Sequence, residues 1–117
     1  MKPEHRYMVA FIAASRHAGR VYTHVHDHDA GAEIAVGGVA LGSKVDVVEG
    51  PQRVRISGDM PDLLHHGSQS YIHLVQDKDG FSGYDHASQQ HFVVVFNQGA
   101  VQVYDHETGR YHAFRVT

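Results

Sequence analysis

Residues 70–116 read S-Y-I-H-L-V-Q-D-K-D-G-F-S-G-Y-D-H-A-S-Q-Q-H-F-V-V-V-F-N-Q-G-A-V-Q-V-Y-D-H-E-T-G-R-Y-H-A-F-R-V, and this stretch decides the fold. Short runs rich in valine, tyrosine and phenylalanine alternate with clusters of aspartate, asparagine and glycine. Such alternation is the signature of strands joined by tight turns. The strands predicted are Ser70 to Gln76, Phe81 to Asp85, His91 to Phe96, Ala100 to Asp105 and Arg110 to Val116. Asp77–Gly80, the loop His86–Gln90, Asn97–Gly99 and His106–Gly109 connect them. Phe92, Val94 and Phe96 lie at alternate positions and are assigned to the core. Asp77-Lys-Asp79-Gly80 has the order of part of a calcium loop, but Val75 takes the first ligand's place and no glutamate closes it, so it is a turn. Ser82, in G-F-S-G, lacks the second spacer of a nucleophile elbow.

A repeat runs through this region. Tyr84-Asp85-His86 recurs twenty residues later as Tyr104-Asp105-His106, and Ser88 aligns with Thr108. Each copy ends a strand with an aromatic residue and opens its turn with an aspartate that can accept hydrogen bonds from the backbone ahead.

Upstream, Lys44 to Glu49 and Gln52 to Ser57 flank Gly50-Pro51 and predict a hairpin. Val45 and Val47 share a core face with Val54 and Ile56, while Asp46 on the other face is within reach of Arg53 or Arg55. Gly37-Gly38, between Ala32 to Val36 and Val39 to Leu41, has the composition of a two-residue hairpin turn. Asp59, Pro61 and Gly67 match the start and stop signals of a short helix near 60–66, with His65 and His66 in its last turn. Tyr7 to Ala14 is almost wholly apolar, so periodicity does not separate strand from helix; its length and its β surroundings point to a strand. The expected fold is all-β, a single domain built as an antiparallel β-barrel or β-sandwich with one short helix near 60–66.

Arg20 to His28, R-V-Y-T-H-V-H-D-H, carries the most site-like spacing. As a strand it puts Tyr22, His24, His26 and His28 on one face and Val21, Thr23 and Val25 on the other. Imidazoles two residues apart are roughly 6.6 Å apart at their attachments, within reach of one metal ion. The outer two, roughly 13 Å apart, cannot share it. A metal here therefore needs two of these histidines and further ligands from elsewhere.

The totals bound the function. The chain has 117 residues, of which 42% are hydrophobic, enough for one core. A net charge of −3 gives no electrostatic footprint for nucleic acid or an anionic membrane. There is no cysteine, which excludes disulfides, thiolate metal sites and thiol nucleophiles. Twelve histidines would carry the formal charge from −3 to +9 on full protonation. Tyr7 to Ala14, after Lys2 and Arg6, has the length of a short signal-peptide core, but Pro3, Glu4 and His5 are poor flanks. The segment is assigned to the fold, and a cytoplasmic protein is expected.

Two resemblances add expectations. The pattern of residues 80–116, Y-D, H-F, Y-D and a closing aromatic pair, resembles the carboxyl-terminal module of small, uncharacterised bacterial proteins; it implies a compact β module and no activity. His26-Asp-His28, four residues and Glu33, followed by Pro61 with His66 five residues on, resembles the two motifs of a cupin. The resemblance implies a β-barrel enzyme holding Fe, Mn, Ni or Zn through His26, His28, Glu33 and His66, with His24 as an alternate. Thr23-His24-Val-His26-Asp27-His28 falls one residue short of the metallo-β-lactamase motif, in a chain too small for that fold. Two function classes follow. The first is a non-enzymatic binding or assembly module, its edge strands such as Arg110 to Val116 pairing in a homodimer and its small-molecule ligand unspecified. The second is a cupin-type enzyme with one divalent transition metal.

Overall fold

A computed structural model describes residues 1–50 and 53–117; the predicted turn residue Pro51 and strand residue Gln52 lie outside the described residues. The described residues form a helix, α1 (Pro3–Ala18), followed by ten strands: β1 (His24–Asp27), β2 (Ala32–Val39), β3 (Lys44–Glu49), β4 (Val54–Asp59), β5 (Asp62–His65), β6 (Ser70–Gln76), β7 (Gly80–Asp85), β8 (Gln90–Asn97), β9 (Ala100–Asp105) and β10 (Arg110–Val116). Every strand pairs antiparallel with the next, and β1 also pairs with β10, Val25 opposite Val116. The result is a closed up-and-down barrel.

Closure corrects one expectation directly. β10 is bonded to β9 on one side and β1 on the other, so Arg110–Val116 offers no free edge for a second copy to extend.

The interior follows from period-two alternation. Val45, Val47, Val54, Ile56, Ile72, Leu74, Phe81, Phe92, Val94, Val101, Val103 and Phe114 are buried, while their strand neighbours face out. On the outer wall Arg55 makes a two-pronged pair with Asp46, at 3.0 and 3.1 Å, as the hairpin pattern predicted. Ten strands about 4.8 Å apart, tilted by about 40°, enclose a lumen roughly 20 Å across between backbones. Side chains alone fill an eight-stranded barrel; a ten-stranded one has room left over.

Helix α1 takes that room. Its residues from Tyr7 to Ser15 are buried without exception, so no face is turned to solvent. It meets strands from around the wall: Arg6 reaches β9, His5 reaches β5 and β7, and Tyr7 hydrogen-bonds Glu49 of β3. Sixteen residues at 1.5 Å each make a rod of about 24 Å, close to the height of a molecule whose extents are 30 × 29 × 27 Å. Ala10, Ala13 and Ala14 keep the rod thin, while Met8, Phe11 and Ile12 fill the space to the wall.

Tyr7–Ala14 is thus helix, not strand. A segment buried on all sides carries no polar face and so no period. Its ends were marked nonetheless: Pro3 in the first turn, Glu4 beside the positive helix end, Arg16 and His17 in the last turn, and Gly19 in the left-handed conformation with its N–H bonded to Ser15 O at 2.9 Å.

No helix lies near 60–66. Met60 and Pro61 make the turn after β4, and β5 buries Leu63 and His65 while Leu64 and His66 point away, a period of two. Gly37-Gly38 is not a hairpin turn but the interior of β2. Gly38 has φ +105°, and a Cβ there would stand 2.0 Å from the Asp46 carbonyl oxygen of β3. The turn comes later, at residues 40–43. Among the described residues, no helix is long and apolar enough to cross a membrane.

Candidate functional site

The histidines singled out by spacing lie on the outside of the barrel. In β1, Val25 and Asp27 are buried, while His24 and His26 lie on the other face; Val21, expected with the core, is exposed. His26 Nδ1 is 2.9 Å from Glu33 Oε2 across the β1–β2 ladder, and the His28 ring stands edge-on to His26 with centroids 5.0 Å apart. His24 pairs with the neighbouring Thr23 hydroxyl. His66 sits 2.6 Å from the Ser57 hydroxyl, in the turn directly after β5, three strand spacings beyond β2 and so roughly 14 Å along the wall. The structure brings His26, His28 and Glu33 together and leaves His66 apart, and α1 occupies the lumen where a cupin site would stand.

The buried ionisable groups collect at one end. β1, β3, β5, β7 and β9 all run toward that end, and the last residue of each is buried and ionisable: Asp27, Glu49, His65, Asp85 and Asp105. The first turns of α1 enter among them. The positive end of the helix dipole thus faces four carboxylates.

Most of this ring is accounted for by docking the helix. Asp105 accepts a hydrogen bond from Arg6 Nη1 at 3.1 Å and one from the Glu107 N–H at 2.9 Å. Burial alone would raise its pKa, but the Glu107 N–H, the Met1 amino group and Arg6 together hold it below the usual carboxylate range. Asp85 accepts from His5 Nδ1 at 3.1 Å and from Ser88 Oγ at 2.8 Å, and these partners overcome burial to depress it as well. Tyr7 is pushed up to about 12, first by burial and then by the charge of Glu49. Asp27 accepts the Asp29 N–H and so shapes the β1–β2 turn.

Asp105 fixes an acid limit. Its folded pKa lies below the unfolded value, so its contribution is complete above about pH 3.9 and is lost as pH falls through the folded value. Asp105→Asn is expected to be less stable than the parent at pH 6 and to lose less further stability between pH 4 and pH 2. Urea melts across that range check it; parallel pH curves for the two proteins would contradict it.

Two atoms in the ring are left over. His5 turns Nδ1 to the Asp85 carboxylate, which only accepts, so that nitrogen carries the proton and, in the neutral ring, Nε2 presents a lone pair. His65 Nδ1 receives the Ser68 N–H at 3.1 Å, with Ser68 Oγ at 2.8 Å, so in the neutral ring Nε2 carries the proton. The two rings lie 4.2 Å apart, centroid to centroid, tilted by 42°. Both Nε2 atoms are buried, and neither has a hydrogen-bond partner among the described residues. Burial first, and then the neighbouring His5, hold the His65 pKa below its ordinary value, which favours the neutral ring.

Glu4 completes the group: one ligand atom each from Glu4, His5 and His65 lies within 4.8 Å of the others. From outside, a cavity of about 280 Å³ lined by Lys2, Glu4, Arg53, Val54, His65, Gly67 and Ser68 leads to it. Gly67 packs against the His65 ring: a Cβ there would come within 3.2 Å of His65 Cε1.

Spacing did not single out Glu4, His5 or His65. A signal was present: His65-His66-Gly67-Ser68 aligns with Asp85-His86-Ala87-Ser88 and Asp105-His106-Glu107-Thr108. His65 thus stands where the repeat places an inward carboxylate. No protein-family model, curated protein or solved structure matches the chain.

Proposed function

We propose that the protein is a non-enzymatic binding module whose ligand enters the recess between the start of α1 and the β5–β6 turn. The observation that carries this reading is the pair of unpartnered Nε2 atoms of His5 and His65 at its inner end. A buried polar atom without a partner costs about 1–3 kcal/mol, and a ligand that satisfies both atoms recovers that cost. Binding rather than catalysis is favoured because α1 fills the lumen in which barrel proteins of this size hold a substrate. The ligand is small and offers either a lone-pair acceptor or a donor and acceptor together.

The test is to record amide and imidazole NMR spectra while adding Zn²⁺, inorganic phosphate, acetate or imidazole in turn. At least one of these probes is expected to shift resonances confined to Glu4, His5, Val54 and His65 to Ser68. Shifts confined to the His26 and Glu33 wall with every probe, or no saturable shift with any, would overturn the reading.

A further inference from the structure

We propose that Glu4, His5 and His65 together bind one divalent transition-metal ion of the zinc, cobalt and nickel class. The proposal rests on the recess being the binding site and names its ligand.

The donor set fits this class. Two imidazoles and one carboxylate are borderline ligands of the kind that hold zinc, and three protein ligands leave a fourth position open toward the recess. Bonds of about 2.0–2.2 Å in a tetrahedron place ligand atoms roughly 3.4 Å apart. The three ligand atoms, within 4.8 Å of one another, need contract by little more than an ångström. In its neutral form His5 presents a lone pair on Nε2, with its other nitrogen held by the Asp85 carboxylate, the outer-shell arrangement that orients a metal-binding imidazole. The recess brings Glu4 and His65 to its lining, so the fourth position has a way to solvent.

His65 must change state to join. Its neutral ring carries the proton on Nε2, so ligation through that atom moves the proton to Nδ1, with no net change in the ring's charge. The Ser68 N–H can no longer donate to Nδ1 and must turn away, whereas Ser68 Oγ can accept from the new Nδ1–H and donate to Ser70 Oγ, its present neighbour. Metal binding is therefore tied to movement of the β5–β6 turn. The competing occupant is one water molecule donating to His5 Nε2 and accepting from His65 Nε2–H, which needs no such change.

Protein without an affinity tag, stripped by chelator, is titrated with Zn²⁺ by calorimetry and with Co²⁺ by visible absorption. The expected result is one tight equivalent per chain, intense cobalt bands of a four-coordinate site, and loss of the Ser68 amide hydrogen bond on NMR. Glu4→Gln and His65→Gln are expected to weaken binding at least tenfold with circular dichroism unchanged. His26→Ala combined with His28→Ala should leave the tight equivalent in place. Should His65→Gln fail to fold, Glu4→Gln decides, because Glu4 is only partly buried. Loss of the tight equivalent in the outer-wall variant, or unchanged affinity in Glu4→Gln, overturns the proposal. So does the absence of tight Zn²⁺ or Co²⁺ binding. In that event, a saturable response of the recess to phosphate, acetate or imidazole would leave the binding-module reading standing, while a silent recess would end both.

Discussion

Lysine in place of Ala10, Phe11, Ile12 or Ala13 is expected to abolish the folded state in each case. Four consecutive residues at 100° per step sample the whole circumference of α1, and all four are buried to within 1%. An unpaired ammonium forced into this interior costs several kcal/mol or more, against a total stability of about 5–15 kcal/mol for a domain of this size. A helix lying against the outside of a sheet would tolerate lysine on one side. The milder change Phe11→Ala should cost about 3–5 kcal/mol by cavity formation alone. Lysine at exposed Val21 is the control and should shift stability by about 0.5 kcal/mol or less. Urea melts followed by circular dichroism give the answer: one cooperative, near-normal melt among the four lysine variants would show that the lumen is not filled by α1 on every side.

Removing the Asp85 carboxylate comes next in expected size. Asp85→Ala should destabilise by about 3–5 kcal/mol, because the carboxylate is fully buried and holds both His5 on α1 and Ser88 in the β7–β8 turn. His5→Ala should also destabilise, and the double variant should fall short of the sum by about 0.5–3 kcal/mol, since the two side chains serve one contact. Additive losses in a double-mutant cycle would mean that helix and wall are held together by something else. Metal affinity provides a second readout: Asp85→Asn, if folded, should bind Zn²⁺ about 10–100-fold more weakly through its hold on the His5 ring.

The wall of this barrel was legible because each strand from Ser70 onward is bounded by turn residues and alternates faces, and the two faces have different solvents. The helix was not, since an element enclosed on every side has no contrast to write into its sequence; its length and its β surroundings pointed to a strand, and the signals at its ends, Pro3, Glu4 and Gly19, lie outside the apolar run itself. The β5 segment failed for a different reason. Asp59, Pro61 and Gly67 serve a strand end, the turn after it and a second turn as well as they serve a helix, and four residues are too few for a period to decide. His24, His26 and His28 drew notice through their spacing, yet the phase of β1 is set by Val25 and Asp27, which sends the imidazoles outward. The buried group is built on His5 and His65, sixty residues apart in the chain, and only the packing of α1 inside the barrel places them side by side.

One ladder in this barrel differs from the rest. Nine of its seams join consecutive strands, whereas β1 meets β10 across roughly ninety residues of chain, a contact formed late because of the loop entropy it must overcome. With that seam open the sheet is a trough that α1 can enter along its whole length, whereas the closed cylinder leaves only its two ends. Geometry thus favours one order of assembly, the rod laid down before the staves are hooped around it.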